Sequence, residues 1–184
     1  ILPIVTTGHA ASAGNNTYWP EVYLNQSMID AAHPGPYTDS PAPKVFGNVS
    51  PLDPQLFSRI NDYADSLVGG PANGKYSPVE VAQWIEDYAA AGLAELARAG
   101  KTAAHRDSAE YRRMAIDIEL QAGLGRFFGA KFRSAVLYRI FEKTCDRAAL
   151  EEALKLYRAA RGIWAELAER AKPVYKPDIT VGEH

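Results

Sequence analysis

Four side chains that could bind a ligand or exchange a proton interrupt an apolar stretch of the sequence: Glu119, Gln121, Arg126 and Lys131. Glu119 and Arg126 are seven positions apart, so they share one face if this stretch is helical. On a mostly buried helix such groups need partners, because an unpaired buried charge is very costly. Two interpretations stay open. The groups form internal ion pairs and hydrogen bonds that hold the N-terminal segment, or they line a polar pocket that binds a ligand.

A second group of candidates lies near the N-terminus, where the sequence "TTGHAASAGNNTYWPE" contains Tyr18, Trp19 and Glu21. Aromatic faces stack on pyranose rings, and carboxylate and amide groups bind sugar hydroxyls. This segment could therefore bind a carbohydrate. The alternative is that Tyr18 and Trp19 anchor the segment to the rest of the protein, since aromatic side chains bury large areas.

No recognisable catalytic or metal-binding motif accompanies these residues. None of the four histidines has a second His, Cys or carboxylate at ligand spacing. Glycoside hydrolysis needs two carboxylates a fixed distance apart, and Glu21 is the only glutamate among residues 1–52. The glycine-rich "GLGRFFG" lies inside a predicted helix, so it is not a dinucleotide-binding fingerprint. We therefore predict no catalytic residue, no metal and no cofactor for this chain on its own.

Four helices are expected to position these groups. Capping residues, prolines at the first helical turn and apolar residues at 3–4 spacing predict them at about 54–68, 78–99, 108–144 and 147–171. Asp53 and Asp146 are predicted N-caps, Ser77 opens a capping box with Glu80, and Gly100 is expected to end the second helix. One or two residues separate the last two helices, which must therefore be antiparallel. The sequence predicts an all-α, up-and-down bundle for residues 53–184.

The third predicted helix carries three glycines in its interior, Gly123, Gly125 and Gly129. Each costs about 1 kcal/mol relative to alanine, so a specific reason for them is expected. Ala122, Gly125 and Gly129 fall on one stripe and form a notch of small residues. We expect another helix to approach closely there, with a side chain such as Trp84 or Trp164 filling the notch. The alternative is that the notch is the floor of a ligand site.

Residues 1–52 differ in composition from the rest of the chain. They contain seven of the twelve prolines and only four charged residues. Proline excludes regular helix and central strand, whereas the aromatic residues are unlike a disordered linker. We predict an irregular, proline-rich arm packed on the helical bundle. The first residue, Ile1, is not a methionine, which indicates a processed protein or a part excised from a larger one, and we expect the latter.

Charge and hydropathy exclude some classes of protein. The net charge of −2 argues against a nucleic-acid-binding protein. No apolar run approaches the roughly 18 residues of a membrane span. Cys145 is the single cysteine, so an internal disulfide is excluded.

Several phrases of the sequence resemble the C-terminal region of large bacterial glycoside-hydrolase-like, polysaccharide-degrading proteins. They are "TYWPEVYLNQSM", "FGNVSPLDPQLFSRINDYADSLVGG", "GKYSPVEVAQWIED" and "AIDIELQAGLGRFFGAKFRSAVLYRIFEKT". The resemblance covers most of residues 1–181. It implies that an upstream domain of the same polypeptide holds the catalytic pair. It also implies that the parent protein is exported to the periplasm or the extracellular space. It carries over no catalytic residue to this chain.

The expected function is that of a non-catalytic accessory helical domain of such a carbohydrate-active protein. It would support the catalytic domain, contribute to one rim of its cleft or mediate a homodimer. Two alternatives stay open. One is a self-contained module that binds a carbohydrate or a small polar ligand, and the other is an independent hydrolase that uses Glu21 or Glu119.

Overall fold

Four α-helices make up most of the part of the chain that the structure, a computed structural model, describes: residues 46–48, 51 and 53–176. Helix α1 spans Ile60–Leu67, α2 spans Pro78–Thr102, α3 spans Ala109–Thr144 and α4 spans Arg147–Ala171. Within these residues the only strand-like pairing is an isolated bridge between Phe57 and Tyr76. The predicted all-α bundle is confirmed.

Helix α3 is the central element, and α1, α2 and α4 all pack against it. It has 36 residues and is therefore about 54 Å long. Its buried residues lie between Ala122 and Val136 and occupy most sides of the helix, although Arg126 within this stretch is exposed. A helix that is buried over most of its circumference is expected to be surrounded by other elements. The three outer helices therefore each need only one apolar face.

Short connections make successive long helices antiparallel. The Ser77 hydroxyl accepts a hydrogen bond from the Glu80 amide, and the Glu80 carboxylate accepts one from the Ser77 amide, so the predicted capping box opens α2. Ser108 caps α3 and Asp146 caps α4. Between α3 and α4 the chain reverses at Cys145, whose φ of 57° is left-handed.

The first helix begins later than the predicted start at Pro54. Asp53 accepts hydrogen bonds from the amides of Gln55 and Leu56, but these close a turn and not a helix. The Leu56 carbonyl then accepts from the Tyr76 amide, and the Ser58 amide donates to the Tyr76 carbonyl. These bonds take the groups that a continuing helix would use, so α1 starts only at Ile60. Gly100 does not end α2, which continues to Thr102.

Only Phe46–Asn48 and Pro51 of the predicted N-terminal arm belong to the described residues. Phe46 is buried and stacks on Phe132 of α3, with 5.9 Å between the ring centroids. The end of the arm region is therefore attached to the centre of α3. The remaining residues of 1–52, and the tail from 177 onward, lie outside the described residues.

Helix α4 buries a narrower stripe than its sequence suggests. Ala149, Ala153 and Ala160 are buried, whereas Leu154, Tyr157 and Trp164 are more than two fifths exposed. The reason is that α4 packs chiefly against α3, so that only one side of the helix is covered. Leu154, Tyr157 and Trp164 therefore contribute to the surface.

Candidate functional site

The glycines of α3 are positions of close approach by neighbouring helices. A Cβ on Gly125 would lie 2.8 Å from Cγ2 of Ile85, and a Cβ on Gly129 would lie 2.6 Å from a carboxylate oxygen of Glu86. Both of these residues belong to α2. A Cβ on Gly123 would collide with Leu167 of α4. Protein thus fills the notch at Gly125 and Gly129, and the side chains that fill it there are neither Trp84 nor Trp164.

The two tryptophans instead pack beside the notch. Trp84 meets the ring of Tyr76 edge-on at 5.0 Å between centroids. Trp164 packs on Phe127 of α3 at 5.6 Å.

Beyond Gly125 the seam between α2 and α3 opens into a groove of about 720 Å³. Helix α2 supplies one wall and α3 the other. Small residues form much of the floor, and Tyr88 at the rim is 65% exposed. The described residues that line this α2–α3 groove are Ile85, Tyr88, Ala89, Gly92, Met114, Asp117, Ile118, Gln121, Ala122 and Gly125.

The four polar candidates of α3 do not converge on one site. Glu119 is partly exposed and pairs with Arg170 of α4 at 2.6 Å. Gln121 is exposed and lines the α2–α3 groove. Arg126 is exposed. Lys131 is buried.

Lys131 is the most deeply buried charged residue among those described, with 2% of its surface exposed. Its ammonium nitrogen lies 4.2 Å from the centroid of the Phe46 ring and 5.7 Å from that of Phe127. Burial lowers the pKa of Lys131 to about 7, because the charged form loses its hydration. The ring faces oppose this shift by attracting the cation. Lys131 therefore joins the arm region to the core.

Several carboxylates of the described residues form cross-links between helices. Asp65 of α1 accepts two hydrogen bonds, of 2.8 and 3.0 Å, from Arg139 of α3. Glu86 of α2 accepts one of 2.8 Å from Arg133 of α3. Arg139 holds the pKa of Asp65 below its usual range, mainly through the direct hydrogen bonds. These pairs, with the one at Glu119, connect α3 to each of its three neighbours.

Asp117 differs from these carboxylates because it faces the groove as well as the C-terminal part of the described chain. Its carboxylate accepts a hydrogen bond from the Tyr175 hydroxyl, which raises the pKa of Tyr175. Asp117 and Gln121 are four residues apart on α3 and so project from the same face. They are the two polar side chains of α3 that line the groove.

The remaining sequence candidates contribute nothing further within the described residues. Tyr18, Trp19 and Glu21 lie outside the described part of the chain. Among residues 46–48, 51 and 53–176, no group of three or more His, Cys, Asp or Glu side chains could hold a metal ion. No helix in this part of the chain is long and apolar enough to cross a membrane.

Tyr88, Met114 and Asp117 are groove residues that the sequence did not single out as candidates. Tyr88 and Met114 fit the apolar helical pattern of their helices, yet both are more than half exposed. One signal could have indicated the groove. Ala89 and Gly92 of α2 and Ala122 and Gly125 of α3 place two pairs of small residues on facing helices, and facing small residues leave space unless the helices close over it.

Comparison with known proteins identifies no relative of this chain. No family model, no curated protein and no solved structure matches it.

Proposed function

We propose that this chain is a non-catalytic helical accessory domain of a bacterial carbohydrate-active protein, in which it supports the catalytic domain or its assembly. The observation that carries the proposal is that carboxylates of the described residues form ion pairs between helices. Asp65, Glu86 and Glu119 each pair with an arginine on another helix. A carboxylate held in this way stabilises the bundle. Glu119, one of the two candidates for an independent hydrolase, thereby has a structural role.

Large apolar side chains lie on the surface of three helices of the bundle. Tyr88, Met114, Tyr157 and Trp164 are at least 43% exposed, and they occur on α2, α3 and α4. A partner domain that covered any of them would gain the free energy of burying that apolar area. The carbohydrate-active context is supported by the sequence resemblance.

Co-expression tests this proposal. The segment of the parent gene upstream of Ile1 and the present chain are produced as separate polypeptides. We expect them to co-elute in size-exclusion chromatography, and we expect the upstream domain to unfold at a higher temperature in the complex. Light scattering on the isolated chain tests the homodimer that was also expected.

Two results would contradict the proposal. One is a parent gene that encodes no enzyme-like domain upstream of Ile1. The other is hydrolysis of polysaccharides or aryl glycosides by the isolated chain that is abolished by Glu21→Gln or by Glu119→Gln. Activity that is unchanged in both variants would remove the independent hydrolase that uses either residue.

The second candidate, a module that binds a ligand by itself, is favoured by one observation, the α2–α3 groove. Its volume falls within the range of small-molecule sites. This candidate is compatible with the accessory role, because an accessory domain can also bind ligand.

A further inference from the structure

We infer that the α2–α3 groove is a binding site for a short saccharide, with Tyr88 as the stacking platform and with Asp117 and Gln121 as the partners of the sugar hydroxyls. The inference deepens the proposed function, on which it rests for the class of molecule that the parent protein meets. The assignment of the ligand to this groove comes from the shape and chemistry of the groove itself.

The size of the groove fits an oligosaccharide of a few rings. Its volume of about 720 Å³ is within the range of sites that bind small molecules. Its α3 wall extends from Met114 to Gly125, about 16 Å along the helix. The groove is therefore elongated, which suits a linear chain of rings better than one compact molecule.

Small residues line part of the groove. Ala89, Gly92 and Ala122 present a methyl group or only backbone atoms. No atom lies within 4 Å of the position that a Cβ on Gly92 would take, so the space above this residue is open. One face of a pyranose ring carries mainly C–H groups, and an apolar surface without large side chains complements that face.

The rim of the groove supplies an aromatic ring and hydrogen-bonding groups. Tyr88 exposes about two thirds of its surface, so its ring is accessible for stacking. Asp117 and Gln121 stand one helical turn apart on the opposite wall. A carboxylate accepts hydrogen bonds through two oxygens, and an amide both donates and accepts. Together they match the alternating donors and acceptors of neighbouring hydroxyl groups.

The Asp117 carboxylate already accepts one hydrogen bond, from the Tyr175 hydroxyl. That bond uses one acceptor position, whereas an ionised carboxylate offers about four. A purely apolar occupant, such as an acyl chain, would remove Asp117 and Gln121 from water without replacing their hydrogen bonds, which is costly. The polar rim therefore favours a polyhydroxyl ligand over a hydrocarbon.

The test is a nuclear magnetic resonance titration of the full chain with cellotriose, xylotriose and maltotriose. We expect saturable shifts with at least one of them, confined to the amides of residues 85–92 and 114–125, with a dissociation constant of about 1 mM or below. Tyr88→Ala should weaken this binding about fivefold to tenfold, the value of one aromatic contact. Asp117→Asn and Gln121→Ala should each weaken it severalfold, because each removes hydrogen bonds to the ligand.

Tyr157→Ala is the matched control, since Tyr157 is an exposed tyrosine on α4, away from the groove. It should leave the dissociation constant unchanged. All four positions are exposed, so the variants should fold, and far-ultraviolet circular dichroism checks this. Octanoate serves as an apolar probe and should not displace the saccharide.

Three outcomes would overturn the inference. The first is that none of the three saccharides causes a shift at a concentration of about 10 mM, tenfold above the expected dissociation constant. The others are shifts that lie outside the groove and binding of octanoate in the groove that is tighter than binding of the saccharides. An equal loss of affinity in Tyr157→Ala and Tyr88→Ala would also overturn it. These failures are distinct from a failure of the accessory role. An upstream domain that associates with a chain unable to bind saccharides would refute only the groove assignment.

Discussion

The replacement of Gly125 by alanine tests whether the glycines of α3 exist for the approach of α2. The new methyl group would lie 2.8 Å from Cγ2 of Ile85, whereas carbon atoms in contact prefer about 3.5–4.0 Å. Ile85 is buried and β-branched, so its side chain has little freedom to rotate within a helix. The Ile85 carbonyl oxygen would lie 3.5 Å from the same methyl group, an ordinary contact distance, so the strain comes from the contact with Cγ2. The strain must therefore be relieved by a shift of α2.

Two opposing free-energy changes decide the result for Gly125→Ala. Alanine favours the helical state over glycine by about 1 kcal/mol. Overpacking of a buried contact costs about 1–3 kcal/mol. The free energy of unfolding should therefore fall by as much as about 2 kcal/mol.

Gly92 and Gly162 provide matched controls, because both lie inside helices and no atom lies within 4 Å of a Cβ placed on either. Gly92→Ala and Gly162→Ala retain the gain in helix propensity without the collision. Each should raise the free energy of unfolding by about 0.5–1 kcal/mol. The difference between Gly125→Ala and these controls then measures the packing effect by itself, about 1–3 kcal/mol.

Urea unfolding followed by circular dichroism at 222 nm is the assay. With a slope of about 2 kcal/mol per molar urea, the packing effect corresponds to a midpoint difference of about 0.5–1.5 M between Gly125→Ala and the controls. If Gly125→Ala stabilises the protein as much as Gly92→Ala does, the helices do not require a glycine at this contact and the reasoning is wrong. Gly123→Ala should fall between them, because its obstacle is the movable end of the partly exposed Leu167 side chain.

Three further predictions concern single side chains. Because the pKa of Lys131 is about 7 in the folded chain and 10.5 ordinarily, the unfolded state binds more protons between these values. Wild-type stability should therefore rise with pH across that window, by up to about 1.4 kcal/mol per unit. Lys131→Met should abolish this rise. If urea unfolding gives the same change in the free energy of unfolding between pH 7 and pH 9 for both proteins, the lowered pKa of Lys131 is refuted. Asp65→Asn should lower the free energy of unfolding by about 1 kcal/mol at pH 7. Because the pKa of Asp65 is lowered from its ordinary value of 3.8 in the folded chain, its contribution is complete above that value and is lost as the pH falls through the lowered pKa. The difference in the free energy of unfolding should therefore shrink in acid, and a difference that is as large at pH 2 as at pH 7 would contradict the ion-pair explanation. Cys145 has a left-handed φ of 57°, so Cys145→Gly should stabilise the protein by about 0.5–1 kcal/mol in thermal unfolding, whereas Cys145→Ala should not.

Capping residues in the sequence correctly predicted the starts of helices that depend only on residues nearby in the chain. The capping box at Ser77 and the N-cap at Asp146 set the starts of α2 and α4, because the bonds involved span only two or three residues. The start of α1 was wrong because it depends on Tyr76, which lies 16 residues beyond Ile60 and pairs with Leu56 and Ser58. A contact at that separation leaves no mark on the local pattern.

The candidate site shows the same division between local and tertiary information. The sequence singled out Glu119 and Lys131 as polar groups on an apolar helix, but it could not show that Glu119 pairs with Arg170 and that Lys131 lies over Phe46. The position of Tyr88 in the apolar pattern of α2 cannot be distinguished from that of a buried core residue. Its exposure results from the number of helices that pack around α2, which is a tertiary property.

The closed notch and the open groove are two parts of one seam between α2 and α3. At Gly92, in the open part, the demands of helix stability and of ligand binding oppose each other. At Gly125 the missing side chain is replaced by Ile85, so the seam is closed by protein. At Gly92 the missing side chain is replaced by no atom within 4 Å, so this glycine lowers helix stability without a packing gain. If its space is kept for a saccharide, Gly92→Ala should stabilise the chain and yet weaken saccharide binding, because the methyl group rises from the groove floor. Gly162→Ala should stabilise the chain by a similar amount with no effect on binding. A Gly92→Ala variant that binds saccharides as tightly as the wild type would show that the floor at this residue does not contact the ligand.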